Sequence, residues 1–301
     1  MKAIKKYCFL FAIAALFFMC GNFLFDGYYF PIPVEFDRYS GVPNVLLEIE
    51  DKKYLVTFDL GSDIAIYLNK SILEKLDKKT QGVARYLDLK GGKHETPRYT
   101  LPSARINGYT ARHLETRQES DSFLISTAIY DDTGRTQEEI MSHDNGSIGR
   151  DFFSNKNIFL DFPNSNVILC KSLKELTKRG YQTEKFIAVP FQITRGGFIF
   201  NVEMDQGPLR FIIDTGSTGT IVRSTFIEGE ISNKIRFGMP VFSTSKFVMN
   251  GTDFGSFDFH LLDMKGAAAF SDGILGMDFL KHHSIFLDLK KQIAYIDKIS
   301  R

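Results

Sequence analysis

The chain has 301 residues, 44% of them apolar and 24% charged, with a formal net charge of +1. Such a length accommodates two domains of ordinary size, each with its own core, and such a composition excludes a disordered chain. The near-neutral balance gives nucleic acid no electrostatic footing. Beyond Cys8 and Cys20 the only cysteine is Cys170, so the body cannot be stapled by internal disulfides and must rely on its core.

In chain order, Lys2, Lys5 and Lys6 precede the uncharged apolar run "YCFLFAIAALFFMC". A basic region followed by a hydrophobic one is the order of a secretory signal. Residues 7–25 are also about long enough to span a bilayer. Residues 1–25 are therefore predicted to be a signal peptide or membrane anchor. The protein is expected to be exported, and either periplasmic or otherwise extracytoplasmic, or held at a membrane through residues 7–25.

A proline-containing connector leads into "NVLLEIE", the polar turn "DKK" and "YLVTFDL", which together read as a β-hairpin ending at Asp59. The same hairpin returns as "FIFNVEM", "DQGP" and "LRFIIDT", ending at Asp214. The two stretches align without a gap at an offset of 155, from Val45/Phe200 to Tyr67/Val222, so that Gly61 meets Gly216 and Ser62 meets Ser217. A single Asp-Thr-Gly-Ser would read as a strand-end turn. Its repetition pairs two carboxylates.

Asn107-Gly108 and Asn250-Gly251 each lie between β-rich runs, a strong two-residue hairpin signal. Further on, the 24 residues from Gly146 and those from Gly273 align at an offset of 127 with eight identities, including Gly149/Gly276, Asp151/Asp278 and the run "IFLD". These landmarks predict an all-β architecture of two homologous lobes, residues 40–172 and 185–298, joined by a polar linker at 173–184. The first lobe carries extra residues in two places. One surplus contains Gly91-Gly92 between extended runs, read as a β-hairpin present in that lobe only; the other falls in the segment beginning at Glu119, read as a surface loop.

With Asp-Thr-Gly-Ser at 214–217 and Ile274-Leu275-Gly276 beyond it, the chain resembles the aspartic proteases: a retroviral-protease-like (retropepsin) fold duplicated in one chain, in the bilobal arrangement of pepsin. The resemblance implies two β-barrel lobes with a cleft between them, and an aspartic endopeptidase acting on a peptide or protein substrate. The chain would be a monomeric internal pseudo-dimer without metal or cofactor. It implies Asp59 and Asp214 as the catalytic pair. Gly61, Ser62, Thr215, Gly216 and Ser217 would support them, the serine hydroxyls reaching the outer carboxylate oxygens, and Gly91 and Gly92 would form a flap that closes over substrate.

Two carboxyl groups side by side cannot both ionise readily, so one holds a proton while the other can take one from water. The family pattern has Thr or Ser after the catalytic Asp, where this chain has Leu60. A leucine cannot donate, so Thr215 is expected to lack its symmetric hydroxyl partner. The alternative reading is therefore a catalytically impaired peptide-binding module of the same fold. The recurring Asp151/Asp278 and Asp161/Asp288 pairs are read as structural, and His282-His283 as a solvated surface pair.

Overall fold

A computed structural model describes residues 28–87, 91–119, 145–153, 156–227, 235–236, 239–265 and 271–297. The predicted leader at 1–25, expected from the sequence to be a hydrophobic helix, and most of the surplus segment after Glu119 lie outside them. Among the described residues no helix is long and apolar enough to cross a membrane. The architecture is all-β, and the few helices among the described residues are each six residues or shorter.

The first half comprises β1 (Tyr29–Pro33), β2 (Glu35–Phe36), β3 (Pro43–Ile49), β4 (Lys52–Phe58), β5 (Ile66–Leu68), β6 (Lys79–Leu87), β7 (Lys93–Ile106), β8 (Tyr109–Gln118), β9 (Gly146–Ile148), β10 (Ile158–Asp161) and β11 (Asn166–Cys170). The second comprises β12 (Phe186–Thr194), β13 (Gly197–Met204), β14 (Gly207–Ile213), β15 (Ile221–Arg223), β16 (Ile235–Arg236), β17 (Met239–Thr244), β18 (Val248–Met249), β19 (Thr252–Asp253), β20 (Phe257–Leu262), β21 (Gly273–Leu275), β22 (Ser284–Asp288) and β23 (Ile293–Asp297).

The two halves share one strand order. In the first, the sequence runs β3-β4-β9-β5-β8-β7-β6; in the second, β13-β14-β21-β15-β20-β17-β16. Each acid-bearing strand pairs in parallel with the strand that precedes the later glycine: Phe58 with Ile148, and Ile213 with Leu275. Those partners differ by 155 and 127 positions, the two offsets of the repeat. The apolar residues of these short central strands are nearly all buried, as expected where both faces are covered.

The halves meet in a six-stranded antiparallel run, β1-β11-β10-β22-β23-β12. At its centre the two "IFLD" copies pair with each other, Ile158 with Leu287, Phe159 with Phe286 and Leu160 with Ile285, so a local two-fold axis passes between equivalent phenylalanines. The outer strands are pinned alike. Asn107 Nδ2 donates to Pro31 O on β1, and Asn250 Nδ2 to Ala188 O on β12. Both Asn-Gly pairs adopt the left-handed backbone of a tight hairpin turn, with φ of 39° and 85° in one and 45° and 76° in the other. Residues 29–33 are thus built into this shared sheet. The polar linker contains the short helix Leu173–Lys178, whose Leu176 packs on Phe159, Ile168 and Phe286.

Candidate functional site

Each carboxyl sits where a strand stops and a turn begins. The Asp59 N–H donates to Ile148 O at 2.9 Å and the Asp214 N–H to Leu275 O at 3.1 Å, which extends each parallel ladder by one rung. The chain then reverses, and the Gly61 and Gly216 N–H groups donate back to Oδ1 of Asp59 and of Asp214, both at 2.8 Å. Gly149 and Gly276 lie beneath these turns. A Cβ on Gly149 would stand 2.3 Å from Ile64 O, and one on Gly276 would stand 2.4 Å from Gly219 O. Any side chain there would push the acid-bearing loop outward.

The two carboxyls share a hydrogen bond. A Cβ on Gly61 would lie 2.5 Å from Asp214 Cγ, and one on Gly216 would lie 3.0 Å from Asp59 Cγ, so each glycine makes room for the acid of the other half. Burial, then the charge of Asp214 and the hydrogen bond to it, hold the Asp59 carboxyl well above the usual carboxylate range, against the pull of the Gly61 and Ser62 N–H groups. Burial also raises Asp214, but the hydrogen bond from Asp59 and the Gly216 and Ser217 N–H groups oppose it. Asp59 is buried and Asp214 only half-buried. Both carboxyls are thus raised, and the pair titrates as a unit that holds one proton between its two members.

Beside the pair, Thr215 is satisfied. Its hydroxyl accepts from the Leu60 N–H at 2.9 Å and donates to Phe58 O at 2.6 Å, both across the seam. Position 60 offers it no hydroxyl partner, and backbone groups of the first half serve it instead. Leu60 itself is fully buried. The reciprocal bonds that a hydroxyl at position 60 would make are absent, so the clasp is one-sided. Thr215→Val is expected to leave a buried N–H and C=O unpaired and to cost about 2–4 kcal/mol of stability. A lower denaturant midpoint with unchanged slope would register it; a shift equivalent to under about 0.5 kcal/mol would contradict the assignment.

The serine hydroxyls turn away from the acids. Ser62 Oγ accepts from the Ile64 N–H, and Ser217 Oγ donates to Gly219 O; only their backbone N–H groups serve the carboxylates. Asp278 braces the second loop by accepting from the Thr220 N–H and hydroxyl at 2.8 and 2.7 Å. Asp161 accepts from Tyr181, Asn164 and Ser284 at the shared sheet. His283 is buried, with its ring against Phe279, so the surface reading of that pair is corrected for one of its members.

Arg150 has no counterpart in the motif reading. It donates to Ser62 O in its own half and to Thr194 O and Arg195 O in the other, and its guanidinium lies over the Phe198 ring. The aligned residue of the second half is Met277, buried and apolar. That break in the repeat was the one signal that could have found it.

Gly91 lies at the tip of the hairpin formed by β6 and β7, with φ of 85°, and Gly92 follows it. The hairpin pairs from Lys79 with Thr100 to Leu87 with Lys93. Its second-half counterpart, β16 with β17, pairs over two rungs, Ile235 with Pro240 and Arg236 with Met239.

No family model matches the chain, and no curated protein matches it. Among solved structures it is similar to basic 7S globulin from soybean, with a TM-score of 0.56 and 10% identity over 91% of this chain and 96% of that one. It is likewise similar to conglutin gamma, a unique basic 7S globulin from lupine seeds, with a TM-score of 0.53 and 11% identity over 91% and 96%. At such identities the likeness shows the fold alone. The retroviral-protease family assignment drawn from the sequence is corrected by these findings: the neighbours are seed globulins, and no protease family is matched. The physical reason is that Asp-Thr-Gly-Ser and Ile-Leu-Gly specify a strand end, a turn and the close approach beneath it. That local geometry belongs to the fold, and it does not single out one family that uses it.

Proposed function

We propose that the chain holds an extended peptide between its two halves and that the Asp59–Asp214 pair hydrolyses it, as an aspartic-type endopeptidase. The observation that carries this reading is the pair itself: two carboxyls, one from each half, one buried and one half-buried, joined by a hydrogen bond and both raised. The ionised member would take a proton from a water lying between the acids. The protonated member would donate to the carbonyl oxygen of the scissile bond. The β6–β7 hairpin would cover the substrate and exclude bulk water. Export, and attachment through residues 7–25, belong to the same proposal.

Two observations favour a second reading, a peptide-binding module of the same fold with impaired catalysis, and the comparisons back it better than hydrolysis. The similar solved structures carry globulin names, and the seam clasp lacks the hydroxyl that position 60 would contribute. The deciding experiment incubates the full-length chain with fluorogenic peptides and denatured protein from acidic to neutral pH, with and without a peptide analogue carrying a tetrahedral hydroxyl centre. Turnover blocked by the analogue supports the hydrolase. Binding without turnover supports the module, and neither binding nor turnover overturns both.

A further inference from the structure

The described chain begins at Tyr28, at the edge of the six-stranded run and three residues after Phe25, where the apolar run of the leader ends. Three residues reach at most about 11 Å. If residues 7–25 attach the chain to a membrane, the surroundings of Tyr28 therefore stand at the lipid surface.

Those surroundings are basic. Asn157 gathers three segments there: its N–H donates to the Tyr28 hydroxyl at 3.1 Å, its Nδ2 donates to Lys171 O at 2.9 Å, and its Oδ1 accepts from the Leu289 N–H at 3.0 Å. The Lys171 N–H donates to Tyr28 O, and the Lys156 ammonium lies 4.8 Å from the centre of the Tyr28 ring. Lys290 and Lys291 follow Leu289. The helix after Lys171 carries Lys174 and Lys178 and ends at Arg179, whose guanidinium lies 3.8 Å from the centre of the Tyr29 ring.

The acids of this corner are already engaged. Glu175 is buried and paired with Lys178 and Arg179, and Asp288 is buried and paired with Lys291. Lys171, Lys174 and Lys290 are exposed, and among the described residues none of the three is paired with an acid. Seven basic side chains against two acidic ones is a local excess that a chain of net charge +1 does not have as a whole. The corner also faces away from the carboxyl pair. Phe159, Ile168 and Phe286 pack with Leu176 of the helix, whereas the alternate residues Ile158, Leu160, Ile285 and Leu287 join the main core with Phe58 and Ile213. Helix and acid-bearing strands thus lie on opposite faces of the shared sheet.

We propose that this basic corner docks on the anionic headgroups of a membrane, laying the shared sheet against the bilayer with the acid pair on the far side. This rests on the reading that residues 7–25 attach the chain to a membrane. The potential of an anionic surface decays over about 8 Å at physiological salt, so lysines held beside the attachment point are the ones that feel it.

The test titrates the full-length chain with vesicles of phosphatidylcholine alone or mixed with phosphatidylglycerol, and reads binding by co-flotation. The anionic vesicles are expected to bind at least about tenfold more tightly, by a margin that shrinks as salt is added. Combined Lys171→Gln, Lys174→Gln and Lys290→Gln should remove most of that margin. Combined Lys70→Gln, Lys79→Gln and Lys93→Gln, three exposed lysines outside the shared sheet, should keep it. Equal binding to both lipids, or an equal loss of the margin in the two triple variants, would overturn the docking corner and leave attachment standing. Binding to neither lipid would overturn both.

Discussion

Asp59→Asn and Asp214→Asn are each expected to lower peptide hydrolysis by at least about 1000-fold, since either change removes the acid or the base of a two-carboxyl mechanism. The same variants separate chemistry from architecture through stability. Burial and the neighbouring charge raise Asp59 well above its ordinary value, so the folded chain binds that proton more tightly than the unfolded chain does. Between the ordinary aspartate value, about 3.9, and the raised one, the folded state holds more protons, and stability falls as pH rises. Asparagine has no charge to bury. Asp59→Asn should accordingly raise Tm by about 2–4 °C at pH 7 and give no gain near pH 3. Thermal unfolding at the two pH values checks this; a variant less stable than the parent at pH 7 would contradict the raised carboxyl.

Gly61→Ala is the second large expected effect. An added Cβ would stand 2.5 Å from Asp214 Cγ and 2.6 Å from its Oδ1, closer than any tolerated contact, so the acid of the opposite half must move. Displacement of a reacting group by about 1 Å costs on the order of 100-fold in rate, and kcat for peptide hydrolysis should fall by that much or more. Gly216→Ala is the internal control. Its Cβ would lie 3.0 Å from Asp59 Cγ, a contact that a small shift relieves, and the loss should be milder, about tenfold or less. Equal losses from the two variants would show that the unequal fit of the acids does not matter. A change in KM alone would place the glycines in binding and not in alignment of the carboxyls.

Much of this arrangement was legible because repetition is a long-range signal. The offsets of 155 and 127 brought Phe58, Ile148, Ile213 and Leu275 into equivalent places, and the structure pairs them accordingly. The Asn-Gly turns were legible for a local reason, since few residues accept consecutive positive φ. What stayed hidden depends on backbone groups or on contacts between halves. The Leu60 N–H that serves Thr215 exists whatever side chain position 60 carries, so residue types alone showed the missing hydroxyl partner but not the backbone group that stands in for it. The repeated "IFLD" was visible as a strand, but that its copies pair with each other follows only once the halves are placed about an axis. The burial of His283 against Phe279 and the reach of Arg150 to Thr194 and Arg195 likewise need tertiary neighbours that no local pattern names.

The union of β10 with β22 also governs how anything could enter between the halves. A continuous ladder of backbone bonds ties the halves together there, so separating β10 from β22 would break its rungs. Admission of a chain would then fall to the β6–β7 hairpin, a two-stranded arm whose lifting disturbs only one half, and its stiffness would set the pace of entry and exit.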